Sequence, residues 1–388
     1  MALLEKFSKT TASALMACAI GVAALATASH ADTLFIEDKL TASDGTESDN
    51  FGSSVAIFGN TAIVGASADS RLPFISGSAY LFDTTTGTQT AKLTASDGTE
   101  GDSFGGSVAI SGNTAIVGAR FHDENIPFNG LGSRGSAYLF DTTTGTQTAK
   151  LTASDGAATD LFGGSVAISG NTAIVGAHLD DDNGNSSGSA YLFDTTTGTQ
   201  TAKLTASDGA AGDRFGRSVA MFGNTVIVGA RQDADNGLFS GSAYLFNTTT
   251  GTQIAKLTAS DGAASDLFGR SVAIFGNTAI VGAWRDDDNG RDSGSVYLFN
   301  TTTGTQIAKL TASDGTEGDI FGSSVAIFGN TAIVGAAGDD DNGERSGSAY
   351  VFRSLPVAPV PLPAGGVLLL TALGALGVCA RRRRKAAA

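Results

Sequence analysis

Short apolar runs of about five residues, separated by clusters of Gly, Asn, Asp and Thr, set the pattern of this chain. In the stretch 162–193, small and branched residues fill 165–169 (SVAIS), Gly170-Asn171 interrupts, and a β-branched run follows at 172–176 (TAIVG). An Asp/Asn/Gly loop then leads to 188–193 (GSAYLF), 195–198 (TTTG) turns the chain, and 200–207 (QTAKLTAS) runs to Asp208-Gly209. Runs of this length, punctuated by Gly-Asn, Thr-Gly and Asp-Gly, predict four short strands joined as hairpins. No long helical pattern appears in the middle of the chain.

The four-run unit recurs six times, opening at Phe51, Phe104, Phe162, Phe215, Phe268 and Phe321. The spacing is 53 residues, except for 58 between Phe104 and Phe162. Self-similarity at such a period marks a stacked or radial repeat architecture. Four antiparallel strands per unit, repeated radially, describe a β-propeller blade; a stacked solenoid is the alternative. The sixth copy stops after its third run at Phe352, whereas the fourth-run sequence KLTASDG stands alone at 39–45, overlapping a strand-like piece at 34–43. The expected fold is therefore all-β: a six-bladed β-propeller of four-stranded antiparallel blades, its ring closed by the N-terminal strand. Closure removes two sheet edges that would otherwise invite aggregation.

The ends of the chain differ from this body. Residues 1–31 carry Lys6 and Lys9, an apolar run over about 14–28, and the small-x-small pattern Ser29-His30-Ala31. That order is a secretory signal peptide. The propeller is expected over 32–353, followed by a Pro-rich spacer at 354–363. An apolar segment at 364–380 has the length of a short transmembrane helix, and the basic tail 381–388 is expected to stay cytoplasmic.

Charge and cysteine content then narrow the partners. The whole chain has a formal net charge of −14; setting aside +1 from residues 1–31 and +5 from 381–385 leaves −20 on the body. Such a body excludes a nucleic-acid partner, which needs Lys and Arg to displace phosphate counterions. Cys18 and Cys379 both lie in the apolar end segments. The body thus has no disulfide framework and no Cys-based nucleophile or metal site.

Each opening Phe-Gly is matched by a Gly-Ala, at 65–66, 118–119, 176–177, 229–230, 282–283 and 335–336. In this the repeats resemble the FG-GAP repeats of integrin α-subunit propellers, and more closely their bacterial variety, over roughly 32–353. The resemblance implies the propeller fold; activity does not follow, because propellers host many functions. The Pro of the family name is replaced by Ser67, Arg120, His178, Arg231, Trp284 and Ala337. Integrin-type repeats also carry a D-x-D-x-D-G calcium loop between first and second strands. Here that connection is only Phe58-Gly59-Asn60 or its equivalent, so those ligands have no counterpart.

At the C-terminus, Val360-Pro361-Leu362-Pro363-Ala364, the apolar segment and the cluster Arg381, Arg382, Arg383, Arg384 resemble the VPLPA form of the PEP-CTERM sorting signal of Gram-negative bacteria. That resemblance implies an exosortase-type sorting protease as partner and the inner membrane as an anchor before processing. The cell surface or extracellular space would be the destination. A plain membrane anchor is the alternative.

Candidate chemistry is sparse. The loop between second and third strands reads DDDNG in copies three, five and six and DADNG in copy four. It offers Asp180, Asp182, Asp233, Asp235, Asp286, Asp288, Asp339 and Asp341 as hard oxygen donors at alternate positions. Alternating carboxylates with a following Gly suit Ca²⁺, while Asn-Gly is equally a hairpin turn; calcium loop and solvated turn both stay open. Copies one (Asp69) and two (Asp123, Glu124, Asn125) depart from the pattern. A second carboxylate stands two residues before each Phe, at Asp49, Asp102, Asp160, Asp213, Asp266 and Asp319, where it is expected to accept backbone N–H bonds. The body's two histidines, His122 and His178, lie in different copies, which argues against a His triad or a multi-His metal site. His178 is expected at a variable surface position.

The residues after Gly-Ala vary while their neighbours do not, which makes Arg120, His178, Arg231 and Trp284 the candidate ligand-binding face. Phe121, Phe128, Phe239 and Arg285 are expected nearby, and the ligand would be surface polysaccharide or protein. The expected function is a non-enzymatic, exported cell-surface or matrix adhesion and interaction module. A structural biofilm or exopolysaccharide-associated protein without a discrete ligand is the alternative, and an envelope hydrolase the third reading.

Overall fold

The computed structural model describes residues 39–67, 76–123, 132–353 and 355. All the strands lie in one unit beginning at Leu40; of the preceding unit, Met1–Lys39, only Lys39 is described. The expected signal peptide, Pro-rich spacer, transmembrane helix, basic tail and sorting motif lie outside the described residues, as do Asp69, Glu124, Asn125 and Phe128. Among the described residues, no helix is long and apolar enough to cross a membrane.

The turn-forming pairs deliver the predicted strands. In blade four, Phe215–Phe222, Thr225–Ala230, Ser242–Asn247 and Gln253–Leu257 pair antiparallel in chain order. Phe222 faces Thr225 across the two-residue turn Gly223-Asn224, where Gly223 adopts a φ of 56°. The same meander recurs in blades one to five, and blade six has three strands, Phe321–Phe328, Thr331–Ala336 and Ser348–Arg353. The architecture is the expected all-β, six-bladed propeller.

The second and third strands of blades one to five are covered on both faces, which explains why their second strands are apolar runs with no exposed alternate positions. Val226 and Val228 of blade four pack with Ile174 and Leu192 of blade three. Between them in sequence, Ile227 points the other way, into a cluster with Phe268, Val281 and Tyr297 of blade five. Each opening phenylalanine anchors such a cluster. The Phe268 ring sits edge-on to Tyr297 and Phe299, with centroids 5.6 and 5.8 Å away.

Neighbouring blades meet through glycine. A Cβ on Gly229 would lie 2.1 Å from the Gly269 carbonyl oxygen of blade five, and that oxygen accepts the Ser218 hydroxyl at 2.8 Å. The same trio recurs at Gly118, Gly163 and Ser107, and at Gly282, Gly322 and Ser271. The Gly-Ala of one copy and the Phe-Gly of the next are thus two sides of one contact.

The two ends of the series are different. Residues from Leu40 onward sit on blade one as the corresponding segments sit on later blades. Leu40 and Ala42 pack with Val64, Tyr80 and Phe82, and Ser43 N–H donates to Gln89 Oε1 at 2.9 Å, as Ser207 does to Gln253. On blade six, Ile333 and Val351 are 46% and 48% exposed, although their counterparts Ile227 and Leu245 are fully buried.

The glycine contact yields a direct test. Gly229→Ala is expected to destabilise the protein by about 3 kcal/mol, the upper end for overpacking. Gly223→Asn, in an open turn that Asn tolerates, should cost under about 1 kcal/mol. Urea denaturation of the two variants checks the difference.

Candidate functional site

In blades three to five each acidic loop closes on a lysine. In blade four, cross-strand pairing sets Lys256 opposite Tyr244, and the ammonium lies 5.2 Å from the ring centroid. Lys256 Nζ reaches Asp208 at 2.7 Å, Asp233 at 3.0 Å, and Asp235. The Tyr244 hydroxyl lies 2.8 Å from Asp233 and 3.0 Å from Asp208. Blades three and five repeat the cage, with Lys203 among Asp155, Asp180 and Asp182, and Lys309 among Asp261, Asp286 and Asp288.

Burial alone would lower the pKa of these lysines, but bonds to three aspartates outweigh it and hold each above the ordinary lysine value. Asp208, Asp233 and Asp235 bring ligand oxygens within 4.8 Å of one another. A divalent ion at that point would meet the ammonium, so the donor set as it stands is matched to lysine. In blade six, Asp339 accepts the Tyr350 hydroxyl at 2.8 Å, and the charge of Asp339 raises the pKa of Asp341. Neither forms an ion pair with a described residue.

Blade two replaces the first aspartate of the cage with His122. Its Nδ1 is 2.8 Å from Asp102 and its Nε2 is 3.1 Å from Lys150 Nζ. An ammonium only donates, so Nε2 accepts and Nδ1 carries the hydrogen toward Asp102. Both ring nitrogens are thereby engaged within the protein.

The variable positions have different surroundings. Phe215 pairs with Ala230, and a bulge before Ser218 sets Gly216 and Arg217 beside that strand end. Bulges re-aim side chains. The residue after Phe-Gly therefore lies near residues that follow Gly-Ala, of its own or of the preceding blade: a Cβ on Gly106 would lie 3.8 Å from the Ser67 Cβ of blade one. A Cβ on Gly164 would lie 3.4 Å from His178 Nδ1. In blades four and five the former position holds Arg217 and Arg270, and the latter holds Arg231 and Trp284.

Among the described residues, His178 Nδ1, Arg231 Nε and Trp284 Nε1 are buried atoms without a hydrogen-bond partner, as is Ser242 Oγ of the third strand of blade four. His178 is buried rather than at the surface, because the glycine at 164 leaves room for its ring against the blade. Burial first, then the charges of Arg217, Arg214, Arg231 and Arg120, push its pKa down to about 3. Burial and the surrounding arginines likewise lower Arg217 and Arg231 to about 10, which leaves both charged at neutral pH. Arg120, His178 and Arg231 thus share one electrostatic environment. Arg285, whose charge also reaches Arg231, lies 4.6 Å over the Trp284 ring. Arg120 lies 4.7 Å over Phe121, and Phe239 is exposed in the acidic loop of blade four. Arg214, Arg217 and Arg270 were not singled out by sequence reasoning. The signal for Arg217 and Arg270 was an Arg after Phe-Gly, where the other copies have Ser or Gly, and Arg214 directly precedes the same Phe-Gly as Arg217.

The FG-GAP repeat family model matches six successive segments, 36–82, 88–140, 146–193, 199–246, 252–299 and 305–352. The chain belongs to the FG-GAP repeat family. Each FG-GAP unit, so matched, begins in or before the last run of one blade and ends in the third strand of the next. No curated protein matches the sequence. Among solved structures, the chain is similar to the computationally designed Ika8 protein, at 16% identity and a TM-score of 0.48, over 77% of this chain and 70% of that one.

In each FG-GAP unit the aspartate before Phe-Gly accepts a backbone N–H three residues upstream, as Asp160 does from Ala157 at 2.6 Å and Asp266 from Ala263 at 2.7 Å. The six junction aspartates thus do what the sequence suggested. Burial pushes Asp160 and Asp266 up to about 6, with the charges of Asp180 and Asp286 adding to it. Asp208 and Asp261 shift oppositely: burial would raise them, but bonds to lysine and tyrosine lower them.

Two predictions follow from these environments. A raised carboxyl contributes stability that is full below its unfolded pKa of about 3.9 and is lost as pH rises through its folded value. The melting temperature should therefore be higher at pH 5 than at pH 7, and the gap should narrow in Asp160→Asn/Asp266→Asn. The lysine-bound aspartates weaken the fold only below about pH 4. Lys256→Met, which strips the buried Asp233 of its cation, is expected to cost about 3 kcal/mol in urea denaturation. Lys92→Met, at the half-exposed Asp44 pair, should cost under about 1 kcal/mol.

Proposed function

We propose that this FG-GAP propeller is an exported cell-surface or matrix interaction module that binds through the strand-end face bearing Arg120, His178, Arg231 and Trp284. The observation that carries the reading is the set of orphaned polar atoms, His178 Nδ1, Arg231 Nε and Trp284 Nε1, at the positions that differ from copy to copy. Buried polar groups in native proteins are normally paired, and a ligand supplies the missing partners. The surrounding repeat is nearly invariant between copies, so variation concentrated here fits recognition on a fixed scaffold. Binding rather than catalysis is favoured because both nitrogens of His122 are engaged within the cage and burial keeps His178 from serving as a base near neutral pH.

Export and sorting rest on sequence: the signal peptide at 1–31 and the ordered triad of 360–364, the apolar segment and Arg381–384. They imply passage through the inner membrane and handling by an exosortase-type protease. We also propose that the N-terminal strand pairs with the third strand of blade six and closes the ring. The register of KLTASDG and the exposed flank of Ile333 and Val351 support closure.

Three outcomes are expected. Trp284→Ala/Arg231→Ala should leave export unchanged but reduce attachment to producing cells about tenfold, the loss of roughly 1.4 kcal/mol. Unchanged attachment would remove the binding face and leave a structural matrix component. Deleting 32–39 should lower the melting temperature of the exported protein, and no change would argue against closure.

A further inference from the structure

The charge on this face is opposite to that of the molecule around it. The body carries −20, and the three cage lysines are each surrounded by carboxylates. Arg120, Arg214, Arg217, Arg231 and Arg270 nevertheless gather at one strand-end face, and among the described residues none of them forms an ion pair. Mutual repulsion and partial burial both oppose such a cluster in the absence of an anion. The blade geometry maintains it: the bulge sets Arg217 next to the strand end at Ala230 that leads into Arg231, and Arg270 takes the equivalent position after Phe-Gly, just before the first strand of blade five.

We propose that this face binds an acidic polysaccharide, with Arg217, Arg231 and Arg270 receiving its carboxylate or sulfate groups. The proposal rests on the binding-face reading above and names the ligand class. Guanidinium is suited to oxyanions because its planar fork donates two parallel N–H bonds. A cationic cleft in an acidic protein also focuses anions toward itself. The polymer is favoured over a single small anion because the cationic positions are spread over blades two, four and five. Beside them stands the half-buried Trp284, whose indole N–H has no partner among the described residues. The cage lysines have no part in this, since their charge is already met inside the fold.

The chain has a single tryptophan, so Trp284 reports on the face directly. The full chain is titrated with dextran sulfate, polygalacturonate and neutral dextran while indole emission is followed. A saturable change with one or both charged polymers, weakening as salt rises and absent with dextran, is expected. Which charged polymer responds separates sulfate from carboxylate. Arg217→Gln/Arg231→Gln/Arg270→Gln should weaken binding at least about tenfold without lowering the melting temperature, because it also relieves repulsion. No response to either charged polymer overturns the proposal, as does binding by the wild type that is insensitive to salt. Equal binding of neutral dextran by wild type and triple variant would overturn the anionic ligand while leaving the binding face intact. Attachment that survives Trp284→Ala/Arg231→Ala would remove the face itself.

Discussion

The distance between blades is set where a glycine faces a carbonyl oxygen. At Gly229 a Cβ would lie 2.1 Å from the Gly269 oxygen, and at Gly118 the same distance from Gly163. No other residue permits that approach, and the adjacent serine hydroxyl converts it into a hydrogen bond. Once the backbones are this close, the phenylalanine after each junction reaches the Tyr and Phe of the third strand. In blades one to five the apolar run of the second strand is then covered on both faces. A fold without disulfides in its body is held by the repetition of this one contact.

The same closeness gathers charge. Because the last run of one blade ends beside the next blade, Asp208 reaches a cage whose other members, Asp233, Asp235 and Lys256, belong to blade four. The ammonium does the work that a cation does in an acidic loop, but it is covalently supplied. Blade two shows the tolerance of the arrangement, since His122 takes the carboxylate's place by accepting from Lys150 and turning its other nitrogen to Asp102. In blades three to five the scaffold thus supplies a cation to its own acidic loops, whereas Arg217, Arg231 and Arg270 form no ion pair among the described residues.

Fold and site were not equally legible in the sequence. Strand positions, blade count and the junction aspartates follow from turn chemistry and period, which are local and repeated six times. The lysine in the acidic loops was not legible, because spacing alone cannot show that a lysine some twenty residues later, opposite a tyrosine, enters the loop. His178 was expected at the surface since its position varies. The glycine at 164 that makes room for it, and Arg217 and Arg270 at the equivalent positions, gain meaning only when a bulge turns one strand end toward the other. Pairings across strands fixed by hydrophobic period were readable; those created by an irregularity were not.

Lysine fills the carboxylate cages of blades three to five, which leads to the expectation that metal adds no stability to the scaffold. The most direct test of that expectation is a thermal melt of the protein in excess EDTA and again in millimolar calcium, because a ligand specific to the folded state must raise its stability by mass action. Coincident melts are expected. A calcium-dependent rise that disappears in Asp286→Ala/Asp288→Ala would contradict this, since those aspartates would then be holding the ion in place of Lys309.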